Sequence, residues 1–162
     1  MSGTPLATTL NFGWPFCFYD YQQKKSVMNP EYGGDGKDVG RCATFAQPVA
    51  VFPAHSAPVD VMFYTGTQFP KKYQGGAFIA FHGSWNRAPI PQDGYNVTFQ
   101  PFSGGKASGN SEIFANGFAA KDQLMNPNDA VARADGVAQA PDGSLYITDS
   151  QKGKIWRVMY KK

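Results

Sequence analysis

From residue 49 onward the sequence repeats one pattern, in which short apolar runs are separated by glycine turns. In the first copy the runs cover 59–64, 77–81 and 95–102, and in the second they cover 136–140, 144–148 and 154–160. Gly76 and Gly143 hold corresponding positions about 67 residues apart, a period that suits sheet repeats with loop insertions. Runs rich in β-branched and aromatic residues and bounded by Gly or Pro predict strands. The sequence therefore predicts an all-β chain.

Repeated antiparallel units of three or four strands predict the blades of a β-propeller, because one such sheet cannot bury its faces alone. We expect two to three blades of four-stranded antiparallel sheets, with 111–117 as the outer strand of the first unit. A closed ring needs about four blades or more. The chain is thus predicted to form a partial propeller that belongs to a larger ring, and a two-sheet sandwich is the alternative.

The length of 162 residues suits one domain, since domains commonly have roughly 100 to 200 residues. We predict a single partial propeller domain over 1–162, with an irregular lead-in and loop at 1–48, a blade at 49–118 and the last blade at 119–162. Within the lead-in, 1–10 is expected to be frayed, 11–19 to form a packed aromatic corner, and 20–41 to be a surface loop.

Charge and hydropathy exclude two classes of partner. The net charge of +3 comes from scattered Lys and Arg residues without a basic stripe, which argues against nucleic acid. No apolar run approaches the roughly 20 residues that cross a bilayer. The first ten residues lack the basic start and apolar core of a signal peptide, so we predict neither a membrane span nor a signal peptide in this sequence.

Two cysteines, Cys17 and Cys42, lie about 25 residues apart and outside any metal-binding or redox motif. They form either a disulfide in an oxidising compartment or a pair of buried thiols. A bridge would close the irregular loop between them, with a gain of about 3 kcal/mol in the chain-entropy model. This need for a tether favours the disulfide.

The candidate site begins where the 77–81 strand ends. His82, Ser84, Trp85, Asn86 and Arg87 place a titratable ring, a hydroxyl, an indole, an amide and a guanidinium within six residues. Each polar atom of such a set needs a partner once it leaves water. The segment therefore predicts a functional site at a strand end.

His55 and Arg133 precede the innermost predicted strands of the two units. Residues at that position lie at the mouth of the channel in a propeller, where a small polar ligand can bind on the axis. Taken alone, His55 is better explained as a turn histidine with satisfied hydrogen bonds. Arg133 taken alone is explained equally well as an exposed surface arginine.

Several segments resemble one family. These are 52–58, 63–66, 69–70 and above all 81–87, together with 11–15 and 135–146. They resemble the sugar dehydrogenases that depend on pyrroloquinoline quinone (PQQ), specifically the glucose/sorbosone dehydrogenase group. The likeness runs from about Asn11 to Arg157, and the segment from His82 to Arg87 is its specific part.

This resemblance implies a six-bladed propeller in which PQQ lies over the axial channel, assisted by calcium, and a sugar hydroxyl or aldehyde is oxidised with hydride transfer to the quinone. It implies that arginine forks hold the carboxylates of the cofactor and that aromatic, amide and imidazole groups meet its edge. The implied cofactor-binding residues are His55, His82, Trp85, Asn86, Arg87 and Arg133. Cys17 and Cys42 also fall where relatives pair cysteines.

The resemblance assigns no catalytic residue and no metal ligand to this sequence. The family's proton-accepting histidine and main calcium ligands lie in the amino-terminal half of the propeller, so neither His55 nor His82 is assigned as the base. Some branches have a second arginine where this sequence has Asp135, so only Arg133 carries over.

We therefore expect the carboxy-terminal part of a quinoprotein sugar dehydrogenase, inactive alone, whose partners are a sugar and either the missing blades or further copies of itself. The parent protein is expected to be periplasmic or secreted, and nothing in the sequence indicates its electron acceptor. The alternative is a non-catalytic, propeller-like module that binds carbohydrate or protein. A third hypothesis is a structural or degenerate remnant, in which the motifs record ancestry alone.

Overall fold

The computed structural model describes residues 10–161, and the chain divides into two compact units, Met1–Phe52 and Pro53–Lys162. The described part has eleven strands, four short 3-10 helices and no α-helix, and all its strand pairs are antiparallel. The prediction of an all-β chain is confirmed. The single domain and the propeller stay predictions. The frayed segment predicted at 1–10 lies outside the described residues except for Leu10. Between residues 10 and 161, no helix is long and apolar enough to cross a membrane.

The first unit contains a hairpin of β1 (Cys17–Asp20) and β2 (Lys25–Met28), followed by 3-10 helices at Pro30–Tyr32 and Gly40–Thr44. The prediction of a surface loop over 20–41 is wrong at β2. This strand has four residues, of which Val27 alone is buried. A single buried apolar position gives no alternation that a sequence pattern could reveal.

A disulfide between Cys17 and Cys42 stabilises the first unit, as predicted, with 5.8 Å between the two Cα atoms. Both cysteines are buried, and Val27 is the other buried apolar side chain in the described part of this unit. The Asn29 side chain adds two hydrogen bonds, because its amide donates to the Pro15 carbonyl and its oxygen accepts from the Glu31 N–H, both at 3.1 Å. Covalent and polar links therefore compensate for a small core.

The larger sheet of the second unit has the order β3-β4-β5-β8. Its strands are Pro58–Phe63, Ala77–Phe81, Asn96–Gln100 and Glu112–Ala115, and a small hairpin of β6 (Phe102–Ser103) and β7 (Lys106–Ala107) follows β5. The outer strand predicted at 111–117 is confirmed as β8. The strand predicted at 95–102 is divided instead, because Pro101 has no N–H to donate to a ladder.

The smaller sheet has the order β9-β10-β11, with strands at Ala134–Gln139, Leu145–Asp149 and Ile155–Val158. The three strands predicted in the second repeat are confirmed, with ends displaced by one or two residues. This sheet has three strands in the described part, whereas a propeller blade was expected to be a four-stranded sheet. A four-stranded sheet is observed in the first repeat.

The two sheets of the second unit share one hydrophobic core, which includes Phe78, Val97, Phe99, Leu145 and Ile147. Their edge strands β3 and β9 are neighbours. The Asp60 carboxylate accepts a hydrogen bond of 2.8 Å from the backbone N–H of Val137 across this boundary. Packed in this way, the ends of β4 and β10 lie close together, and the candidate site forms there.

Candidate functional site

The loop that leaves β4 is held against the turn that precedes β3. The His82 N–H donates to the Ala57 carbonyl at 2.9 Å, and the Gly83 N–H donates to the Ser56 carbonyl at 3.2 Å. His55 lies in this turn, where its side chain is exposed and its φ is 65°. The structure therefore brings the predicted residues His55 and His82 into adjoining segments.

Ser84 is the buried centre of this loop, with 1% of its surface exposed. Its hydroxyl donates to Gln92 Oε1 and accepts from the Asp93 N–H, both at 2.8 Å, and its own N–H donates to the Asp93 carbonyl at 2.8 Å. The phenol of Tyr95 donates to the Ser84 carbonyl. Because a Cβ on Gly83 would lie 2.4 Å from the Tyr95 ring, the close approach requires glycine.

Arg133 contacts the same loop from the other sheet. Its Nε donates to the His82 carbonyl at 3.0 Å, and its Nη2 lies 2.5 Å from the Gly83 carbonyl and 3.5 Å from the Ser84 carbonyl. The guanidinium also lies over the Tyr95 ring, 5.2 Å from its centroid. Arg133 is therefore not the exposed surface arginine of the alternative reading.

The His82 side chain links the two sheets directly, because its Nε2 lies 2.9 Å from the Ser150 hydroxyl. Burial and the Arg133 guanidinium lower the pKa of His82 from its usual 6.5, while the Asp135 and Asp149 carboxylates act in the opposite direction. The imidazole is consequently neutral near pH 7. One ring nitrogen of a neutral imidazole can accept a hydrogen bond, so His82 can act as an acceptor at this position.

Asp149 anchors the segment that carries Ser150. The residue is 5% exposed, and its carboxylate accepts from the backbone N–H groups of Arg133, Gln151 and Lys152 at 2.8–3.0 Å. Burial raises the pKa of Asp149, but these backbone hydrogen bonds outweigh it and hold the pKa below the usual 3.8. A charged Asp149 therefore organises the backbone around the site.

The remaining predicted residues lie on the outer part of the loop. Arg87 is partly buried and pairs with Asp93 at 3.0 Å between Nη1 and Oδ2. Trp85 is 71% exposed, and Asn86 is also exposed. The structure thus connects Arg87 to the Ser84 network through Asp93, while Trp85 and Asn86 present their side chains to solvent.

Sequence reasoning did not identify several residues that build this site, namely Gln92, Asp93, Tyr95, Asp149 and Ser150. The repeat pattern could have indicated one of these residues, Ser150. His82 directly follows β4, and Ser150 directly follows β10, the corresponding strand of the second sheet. An alignment of the two repeats on these strands would have placed His82 opposite Ser150.

A polar cleft of about 520 Å³ adjoins the loop. Asp93 and Tyr95 contribute to its wall, together with Asn96, Asn116 and Asp122. Between residues 10 and 161 there is no group of three or more His, Cys, Asp or Glu side chains that could hold a metal ion. One acceptor beside Ser150 is buried without a hydrogen-bond partner among the described residues, namely Oε1 of Gln151.

A model of the TrAA12-like family matches residues 2–161. The chain belongs to the TrAA12-like family. It is 34% identical to an uncharacterized protein of Borreliella burgdorferi over 94% of this chain and 36% of that protein. It is 26% identical to a pyrroloquinoline quinone-dependent pyranose dehydrogenase of Coprinopsis cinerea over 89% of this chain and 22% of that enzyme.

The TrAA12-like chain also resembles a solved structure of a Trichoderma reesei carbohydrate-active enzyme of family AA12, obtained with calcium. The TM-score is 0.69 with 22% identity, over 90% of this chain and 37% of the other. At that identity the likeness concerns the fold alone. The TrAA12-like chain spans about a fifth to two fifths of the length of these proteins.

Proposed function

We propose that this TrAA12-like chain is part of a quinoprotein sugar oxidoreductase and contributes its 82–87 segment to a PQQ site. Two things support the proposal. One relative is a PQQ-dependent pyranose dehydrogenase, and the polar segment after β4 is held in place by Arg133 from the second sheet. The second observation carries the proposal, because a cofactor site needs its contact groups fixed on a rigid support. The narrower glucose/sorbosone assignment stays a prediction.

The side chains of the segment fit PQQ, a planar quinone with several carboxylates. Arg87 supplies a guanidinium for a carboxylate, Trp85 an exposed ring face and Asn86 an amide. His82 supplies a neutral imidazole, and His55 lies in the adjoining turn. The predicted contact from Arg133 is less direct, because its Nε and Nη2 already donate to backbone carbonyls.

Calcium does not fit the described residues in the same way. Calcium takes six to eight oxygen ligands, usually with several carboxylates, and no group of three or more His, Cys, Asp or Glu side chains that could hold a metal ion exists between residues 10 and 161. We therefore place no calcium ion on this part of the chain. Calcium in the parent protein stays a prediction from the resemblance.

When bound, PQQ supplies the chemistry of a two-electron acceptor that takes a hydride from a sugar carbon. The residues of this chain act by binding and orientation. Arg87 and Asn86 hold the cofactor edge, and the neutral His82 offers a hydrogen-bond acceptor beside it. The adjoining cleft, with Asp93, Asn96 and Asn116, offers carboxylate and amide groups that suit sugar hydroxyls.

The proposed partners of the chain are further sheets of a parent protein or other copies of this chain. One face of β3 supports this proposal, since Val59, Val61 and Phe63 are 49%, 58% and 58% exposed. Such a stripe on an edge strand is expected to be covered. A periplasmic or secreted parent protein is also proposed, and the Cys17–Cys42 disulfide supports it because such bonds persist in oxidising compartments.

A non-catalytic carbohydrate-binding module is the second candidate function. Exposed aromatic rings in the first unit favour it, because Phe12 and Trp14 are 54% and 75% exposed. Flat, solvent-exposed rings can pack against apolar faces of ligands.

A titration of the purified chain with PQQ, with and without calcium, tests the first proposal. Absorbance of the quinone and the mass of the chain in solution are followed together. We expect saturable binding to a defined species, weakened by Arg87→Ala but not by Arg157→Ala. Equal binding in both variants contradicts a PQQ site at 82–87, whereas absent binding would mean that the site needs the further sheets of the parent protein. Saturable binding of sugar without PQQ would favour the second candidate.

A further inference from the structure

Three hydrogen bonds form a closed ring between the two sheets. Arg133 Nε donates to the His82 carbonyl at 3.0 Å, and His82 Nε2 lies 2.9 Å from the Ser150 hydroxyl oxygen. The Ser150 N–H donates to the Arg133 carbonyl at 3.3 Å, which closes the ring. We propose that Arg133 is a positioning residue that clamps the backbone of 82–84 and thereby fixes His82 against Ser150.

The guanidinium suits this task because it is planar and carries five N–H donors in a fixed fork. Arg133 directs two of its nitrogens at the carbonyls of three consecutive residues, His82, Gly83 and Ser84. Its plane lies over the Tyr95 ring, and the Tyr95 phenol donates to the Ser84 carbonyl. A lysine can keep the charge at this position, but one ammonium cannot reproduce the fork.

The backbone of Arg133 is itself held in place by Asp149. Its backbone N–H donates to Asp149 Oδ1 at 2.8 Å, and the same oxygen accepts from the Gln151 N–H at 3.0 Å. Asp149 therefore holds the start of β9 and the loop after β10 together. Ser150 lies in that loop. The positions of His82 and Ser150, which form the hydrogen bond, therefore both depend on Arg133.

The charged groups around His82 make its pKa a measure of the position of Arg133. Arg133 faces the imidazole with a positive charge, while Asp135 and Asp149 act on it with negative charges. Burial and Arg133 lower the pKa of His82, and the two carboxylates raise it. Loss of the Arg133 charge should consequently raise the pKa of His82, whereas a lysine should keep it low and still lose the clamp.

The test is an NMR study of the full chain without cofactor. The clamp itself does not depend on PQQ, so its failure is distinct from the failure of the proposed function. The variants are Arg133→Gln and Arg133→Lys, and Arg157→Gln is the matched control. Arg157 is also an arginine near a tyrosine ring, 5.9 Å from the Tyr146 centroid, and it pairs with Asp142 away from the loop.

In both Arg133 variants we expect amide exchange at Gly83 and Ser84 to become at least about ten-fold faster, as local opening becomes easier. The pKa of His82 should rise in Arg133→Gln, stay low in Arg133→Lys and be unchanged in the Arg157→Gln protein. Unaltered exchange at Gly83 and Ser84 in both variants would overturn the proposal.

A measurement on the unmodified chain covers the case in which the variants do not fold. A clamped guanidinium exchanges its Nε proton slowly, because that proton is held by the His82 carbonyl. We expect slower exchange of the Arg133 Nε proton than of the Arg41 Nε proton on the exposed surface of the first unit. Equal, fast exchange of both protons would refute the clamp.

Discussion

The Tyr64 phenol donates a buried hydrogen bond of 2.7 Å to the backbone carbonyl of Gly143, 79 residues further along the chain. Tyr64 follows β3 of the larger sheet, and Gly143 forms the turn between β9 and β10 of the smaller one. Gly143 has a φ of 82°, and a Cβ there would lie 3.0 Å from the Tyr64 hydroxyl oxygen. The two repeats of the second unit are therefore joined by a side chain of one and the turn glycine of the other.

Replacement of this phenol should cost stability. In Tyr64→Phe the Gly143 carbonyl loses its partner while it stays buried, so we expect the free energy of unfolding to fall by about 1–3 kcal/mol. Urea denaturation followed by tyrosine and tryptophan fluorescence measures the change. Tyr160→Phe is the control, since Tyr160 is 48% exposed. Equal midpoints for the two variants would show that the bond to Gly143 contributes nothing.

The Asp149 carboxylate should make stability depend on pH. Its pKa in the folded chain is below the usual 3.8, so its contribution is present at neutral pH and is lost as the pH falls through the folded pKa. We expect Asp149→Asn to lower the free energy of unfolding by about 1–3 kcal/mol at pH 7. The difference from the unmodified chain should shrink below about pH 4.

Denaturation series at pH 7 and at pH 3 measure this dependence. Asp135→Asn is the matched control, because Asp135 is an exposed carboxylate on the neighbouring strand. A deficit of Asp149→Asn that is the same at both pH values would mean that the charge of Asp149 is not what stabilises the loop.

The turn between β9 and β10 contains a second carboxyl with a low pKa. Hydrogen bonds from the Ser144 hydroxyl and N–H, with a further contribution from Arg157, lower the pKa of Asp142 to about 2. We expect Ser144→Ala, which keeps the backbone N–H, to raise this pKa more than Arg157→Gln does, because the serine hydroxyl makes the largest single contribution. A carboxyl carbon NMR titration gives the pKa in each variant. A larger rise in Arg157→Gln would reverse the assignment.

Arg87 should affect cofactor binding more than folding. Arg87→Ala removes a guanidinium on the outer loop whose ionic partner is the half-exposed Asp93, and exposed pairs contribute about 0–1 kcal/mol to stability. A charge-assisted contact with a quinone carboxylate should be larger, so we expect PQQ affinity to fall roughly 10- to 100-fold. Isothermal titration and thermal denaturation of the same sample separate the two effects. Unchanged affinity would argue against the assigned role of Arg87.

The Cys17–Cys42 bridge should matter only while it is oxidised. We expect Cys42→Ser to destabilise the first unit by about 3 kcal/mol under oxidising conditions. In the presence of a reductant, the variant and the unmodified chain should differ little. Denaturation with and without dithiothreitol makes the comparison. An equal loss in both conditions would indicate that the buried sulfur packs as a thiol and that the bond itself adds nothing.

The sequence predicted the second unit well because its strands carry long apolar runs. The five residues of β4 are all buried, and they were predicted to the residue. β2 was missed because four residues with one buried side chain, Val27, give no periodic signal. The break after β5 depends on Pro101, a single residue inside an otherwise continuous apolar run.

From the sequence, the candidate site was predicted at the consecutive residues His82 to Arg87 and at two residues that precede inner strands, His55 and Arg133. The cluster from His82 to Arg87 was visible as a dense set of polar groups at a strand end. Asp149 and Ser150 were not, because their importance comes from packing of the smaller sheet against the larger one. Contacts such as that between His82 and Ser150 join residues 68 positions apart, and no local pattern encodes them. The Arg133 fork was likewise invisible, since its acceptors are backbone carbonyls that every residue possesses.

The Asp60 carboxylate keeps the strand pairing of the two repeats separate. β3 and β9 are both edge strands and lie side by side, and two such edges can merge into one continuous ladder. Asp60 occupies the Val137 N–H, so a side chain takes the place of a pairing strand at that point. Each sheet therefore keeps its own register. We therefore expect an insertion in the loops of one repeat to leave the strand pairing of the other unchanged.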